Sequence, residues 1–167
     1  MEIINAVVGI IQLVIAIILA VVALYIGFSV LGKITKGIDE EKEIAKGNTA
    51  VGILVASVFI AIGIVVQSGV SGISVGISQA LNVWSSDIGL GITILIVSVL
   101  QLVLGIVLAI VAIYLALNIL DKLTKGIEEF EELKKGNVAV ALEMAGVIIT
   151  TAVIIQSGVA GITAALI

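Results

Sequence analysis

A few polar side chains interrupt otherwise long apolar runs, and any chemistry in this sequence rests on them: Gln12, Gln67, Gln101, Gln156 and Glu143. A Gln amide carries two donors and an acceptor oxygen, which hydrocarbon leaves unsatisfied. Neighbouring amides on packed helices can satisfy one another, each interhelical bond being worth about 1 kcal/mol. The same amides can instead line a narrow water or ion path. Glu143 is the only acid inside an apolar run. A carboxylate at such a position reads either as a functional group or as a structural accident. A proton or cation site needs a second charge or several oxygens, and no second acid lies in an apolar run. Tyr114 and Asn118, spaced i, i+4 on one helix face, are its candidate partners.

The missing residue types exclude more than the present ones suggest. The chain has no Cys, His or Pro, and all eight cations are Lys. Thiol nucleophiles, disulfides, thiolate or imidazole metal sites and the usual general base are therefore absent. With no paired carboxylates in an apolar run and no Gly-rich phosphate loop opening a helix, no catalytic residue, cofactor or metal site is expected. A net charge of −4 without Arg argues against a nucleic-acid partner.

The elements that position these groups follow from hydropathy. Apolar residues make up 61% of the 167, charged residues 12%, and the mean hydropathy is +1.39. A water-soluble monomer could not hide that much apolar surface. The lysines fall in two short islands: Lys33, Lys36, Lys42 and Lys46, then Lys122, Lys125, Lys134 and Lys135. The runs between them exceed the roughly 20 helical residues needed to cross hydrocarbon. The pattern predicts transmembrane helices near residues 3–32, 49–73, 90–120 and 138–164. Lys-rich short loops stay cytoplasmic, which places both charged hairpins inside and both termini outside.

The chain is also a repeat. Shifted by 89 positions, so that Gln12 falls on Gln101, it lies on itself without a gap. Tyr25 falls on Tyr114, Lys46-Gly47-Asn48 on Lys135-Gly136-Asn137, and Gln67-Ser68-Gly69 on Gln156-Ser157-Gly158. Residues 1–78 form one hairpin repeat, 79–89 an external linker and 90–167 the second repeat. The expected fold is therefore an all-α integral membrane protein, its four transmembrane helices built from two parallel tandem hairpins. Such repeats imply a pseudo-twofold axis along the membrane normal.

At each tip, Gly37 and Gly126 can adopt the left-handed conformation that ends a helix, and Asn48 and Asn137 can cap the span that follows. The tips, 33–47 and 122–136, read as solvated, mutually neutralising charge or as docking surfaces for a cytoplasmic protein. Small residues form seams: Ala16, Ala20, Ala23 and Gly27, with Gly52, Ala56 and Gly63, and their partners Gly105, Ala109, Ala112 and Ala116, with Ala141, Ala145 and Ala152. Such stripes let membrane helices approach closely. The four glutamines lie along these seams, each roughly 30 Å from the charged end by helical rise. Glu143 lies only about 9 Å past Asn137. With Leu54 as its repeat counterpart, it also breaks the symmetry.

The doubled Lys-Gly-Asn and Gln-Ser-Gly pattern resembles the YjfL-like family of uncharacterised four-helix inner-membrane proteins. The resemblance implies a prokaryotic plasma membrane and a link to envelope stress, and it supplies no catalytic residues. The sequence thus reads as a non-enzymatic, homo-oligomeric scaffold or interaction module in the lipid bilayer. The alternative is a small oligomeric channel with a Gln-lined constriction.

Overall fold

The computed structural model describes residues 2–35, 37–124 and 126–166, and among these every side chain except those of residues 2–5, 8, 12, 30, 33, 34 and 162–166. The described elements are all helices: α1 (Glu2–Ile34), α2 (Glu40–Ala45), α3 (Thr49–Val83), α4 (Ile88–Leu123), α5 (Glu129–Lys134) and α6 (Val138–Leu166). Four of them are long and apolar enough to cross a membrane. The short α2 and α5 form the charged tips.

Helix α3 runs ten residues past the expected end at 73, and α4 starts at Ile88. Of the expected linker, only residues 84–87 lie between the helices. The extension is held by close packing. There is no room for a Cβ at Gly76, which lies against Ser98, and Gly91 sits against the Trp84 ring and the Ala80 carbonyl. Asp87 then caps α4, its Oδ1 accepting from the Leu90 N–H at 2.9 Å. At about 1.5 Å per residue the 35-residue α3 is about 52 Å long, well beyond a 30 Å hydrocarbon layer.

Both tips lie at the same end of the bundle, as parallel repeats require: the Asn48 side chain of the first reaches the Leu133 carbonyl of the second. The hairpins nevertheless do not pack by a twofold. Helix α3 is central and contacts α1, α4 and α6, whereas α1 has no substantial contact with α6 among the described residues. A twofold would bury α1 on α6 as α4 is buried on α3. The expected symmetry is therefore corrected: the second hairpin stacks on one face of the first.

The seams show the same asymmetry. Ala141 and Ala152 are fully buried and Ala145 is buried, all on α6. Their counterparts on α3 are open: Ala56 is exposed, and a Cβ at Gly52 or Gly63 would meet nothing within 4 Å. On α1, Ala23 and Gly27 are buried, with Gly27 pressed against Ile62. The core they border gathers Leu54, Val58, Ala61, Ile113, Leu117, Met144 and Ile148. Most of the remaining α1 surface is exposed Ile, Val and Leu, the surface that lipid or another protein must cover.

Candidate functional site

The tips hold the polar groups that are most enclosed. In the first, the Thr35 hydroxyl lies against the Leu31 carbonyl at 2.9 Å and also against Glu40 Oε1. In the second, the Thr124 hydroxyl lies against the Leu120 carbonyl at 2.8 Å and against Glu129 Oε1. Thr35, Glu40 and Glu129 are all buried, Glu129 with 1% of its surface exposed. Local backbone geometry explains the arrangement. Gly37 (φ 86°) and Gly126 (φ 96°) turn the chain through the left-handed region, bringing the carboxylate five residues on back beneath the hydroxyl.

These two carboxylates correct the reading of the tips as wholly solvated. The repeat carried a signal, since Thr35 and Glu40 fall on Thr124 and Glu129. Charge counting alone does not say which of several neighbouring acids turns inward.

The two pairs differ in what faces them. Beside Glu40 stands Gly32, where a Cβ would lie 3.6 Å from Glu40 Oε2. The second repeat places Asp121 at that position. Burial pushes the Glu129 carboxyl above the usual range, the neighbouring Asp121 carboxyl raises it further through hydrogen bonding and charge, and the charge of Glu143 adds to the effect. Its Oε2 is buried, with no hydrogen bond of ordinary geometry among the described residues. The Thr124 hydroxyl has one proton and two acceptors beside it, so a carboxyl that keeps its own proton completes the bonding. Asp121 and Glu143, two of the three acids that have no acidic counterpart in the first repeat, thus act on the same carboxyl. No cluster suited to a metal ion occurs among the described residues.

Around this interior several lysines and glutamates pair at the surface. Lys46 Nζ meets Glu43 Oε1 at 2.6 Å, and its counterpart Lys135 meets Glu132 Oε1 at 2.7 Å. Lys134 meets Glu131 at 2.8 Å. Glu43 is held below the usual carboxylate range by hydrogen bonds from Lys46 and Asn48, with Lys134 of the other tip adding to the effect. Glu132 is lowered by Asn137 and Lys135.

The two Asn residues do more than cap. Asn48 Oδ1 accepts from the Val51 N–H at 3.2 Å. Its amide donates to Glu43 Oε2 at 3.1 Å and to the Leu133 carbonyl at 2.9 Å. Asn137 Oδ1 accepts from the Ala139 N–H at 3.1 Å, and its amide donates to Glu132 Oε2 at 2.8 Å.

The glutamines occupy unlike surroundings. Gln101 is buried and its amide donates to the Val159 carbonyl at 3.3 Å, joining α4 to α6. Gln67 is exposed, and Gln156 is half-buried with its main-chain carbonyl accepting from Ser68 at 3.4 Å. The Gln12 side chain lies outside the described residues. Glu143 is exposed and has no hydrogen-bond or ion-pair partner among the described residues. Tyr114 and Asn118 pair with each other instead: the Asn118 amide donates to the Tyr114 carbonyl at 2.7 Å.

Comparison with known proteins gives one family. Its model, described as Domain of Unknown Function (DUF350), matches residues 5–106 and again residues 95–167. No curated protein and no solved structure matches the chain.

Proposed function

We propose, for a chain that belongs to the DUF350 family, a non-enzymatic role as an oligomeric membrane scaffold or interaction module. The observation that carries this reading is the joined pair of tips. Asn48 of one tip donates to the carbonyls of Leu133 and Lys134 of the other, at 2.9 and 3.4 Å. The result is one polar platform at one end of four apolar helices, with Glu41, Lys42, Lys46 and Glu128 exposed on it. An ordered platform with paired charges suits recognition of a protein.

The lysines support a cytoplasmic position for the platform and outward termini. The resemblance noted above supports a prokaryotic plasma membrane and a part in envelope maintenance. For the glutamines, the bond from Gln101 to a main-chain carbonyl of α6 favours helix joining over a channel lining.

The test is reconstitution into lipid nanodiscs for native mass measurement, and into liposomes for ion and water flux. A scaffold gives a defined oligomer and flux equal to protein-free vesicles. A monomer removes the scaffold reading, and flux abolished by Gln101→Leu favours the channel.

A further inference from the structure

We infer that a second copy of this chain docks on the outer face of α6, by the same contact that stacks the second hairpin on the first within one chain. The inference rests on the oligomeric reading above and specifies its geometry.

The internal contact supplies the template. Leu102 of α4 inserts at Gly69 of α3, leaving no room there for a Cβ, and Gly105 of α4 lies against Val65. Helix α3 fills the groove between α4 and α6, where Ile148 and Ala152 are fully buried. Each repeat carries the residues for both halves of this contact, yet one chain uses each half once. The halves left over are open. Leu13, the counterpart of Leu102, is 60% exposed, against 1% for Leu102. Gly158, the counterpart of Gly69, has nothing within 4 Å of a built Cβ. Ile154, the counterpart of Val65, is 65% exposed.

The receiving groove is also present and empty. Between α1 and α3 lies an apolar depression lined by Ala20, Leu24, Phe59 and Gly63. Phe59 and Gly63 are the counterparts of Ile148 and Ala152, which the first hairpin covers within the chain. A second copy placed by the internal relation sets its Leu13 on Gly158 and receives α6 in this groove. The polar contacts continue as well. Asn137 stands where Asn48 reaches the Leu133 carbonyl, and Leu133 corresponds to Ile44, which is exposed. At the charged end the match departs from the template. Glu143 and Glu41 replace Leu54 and Phe130, both members of the internal core. Water and headgroups reach that end, so the stretch from Gly146 to Gly161, apolar except for Thr150, Thr151, Gln156 and Ser157, carries the contact.

Different surfaces meet in this interface, so it is head-to-tail. Repeated, it closes into a ring or continues as a filament in the membrane plane. This differs from a twofold dimer, in which α6 would meet α6.

The chain has no cysteine, so introduced ones report without background. Chains carrying Leu13→Cys and chains carrying Gly158→Cys are tagged differently, co-expressed and oxidised in native membranes. Both positions are open in the single chain, so folding is undisturbed. Gly69→Cys with Leu102→Cys in one chain serves as the control for the template geometry. The expected result is a disulfide-linked heterodimer of the two tagged chains and no dimer from either variant alone. A dimer from Gly158→Cys alone, or none from the mixture when the control pair closes, overturns the head-to-tail contact. Native mass in nanodiscs separates the two failures: a monomer defeats the oligomeric reading itself, whereas an oligomer without the cross-link defeats only this geometry.

Discussion

The Asn48 side-chain amide donates to the Leu133 main-chain carbonyl at 2.9 Å, so the residue that caps the second span also fixes the opposite tip. Asn137 caps in the same way, and its amide hydrogen bond stays within its own tip. Two residues in equivalent sequence positions therefore carry unequal loads.

Asn48→Ala is expected to cost about 2 kcal/mol, about 1 from the lost cap and about 1 from the lost cross-tip bond. Asn137→Ala should cost only about 1 kcal/mol. Thermal unfolding followed by circular dichroism in detergent compares them, and equal costs would contradict the cross-tip role.

Glu129 sets a pH dependence. Its carboxyl is raised, by burial first and then by Asp121 and Glu143, so the folded chain holds a proton that the unfolded chain releases. Stability from this group is complete below the ordinary carboxylate range and falls as pH rises through the raised value. Glu129→Gln should therefore melt higher than the parent at alkaline pH, with the gap closing on acidification. Parallel melting profiles across pH would show that Glu129 does not titrate in this way. Glu43 and Glu132 act in the opposite sense: being lowered, they stabilise above the ordinary range and lose that effect as pH falls through their lowered values.

The helix glycines divide by site: Gly69 lies at a helix crossing and Gly9 does not. Gly69→Leu must displace Leu102 and should cost about 1–3 kcal/mol by overpacking. Gly9→Leu meets open space in the single chain and should leave the melting of detergent-solubilised monomer unchanged. Equal melting temperatures for both variants would refute the close approach of α3 and α4.

Gln101→Leu removes the bond to the Val159 carbonyl, at an expected cost of about 1 kcal/mol. Gln67 is exposed, so Gln67→Leu should stay within about 0.5 kcal/mol of the parent. Urea unfolding in mixed micelles measures both, and a larger loss for Gln67 would reverse the assignment.

Topology is open to direct labelling. Lys42→Cys and Lys135→Cys should resist an impermeant thiol reagent in intact cells, while Ser86→Cys should react. The reverse pattern would place the platform on the outer side.

The sequence by itself determined the helices, the repeat and the shared direction of the two hairpins. Those features depend on local quantities: run length, charge islands, and glycines and asparagines at fixed offsets. Hydropathy also marked Glu143 and the glutamines as unusual, because any polar group in an apolar run stands out. Only the tertiary structure decided how the hairpins stack. Each repeat carries two complementary faces, and a sequence that repeats cannot say whether the faces meet by a twofold or in succession. Burial of Ala152 and exposure of Gly63 answer that within the chain. The inward turn of Glu40 and Glu129 was hidden for a related reason. Among several acids in one short tip, the left-handed turns at Gly37 and Gly126 select which carboxylate meets the threonine, and only the folded backbone makes that selection visible.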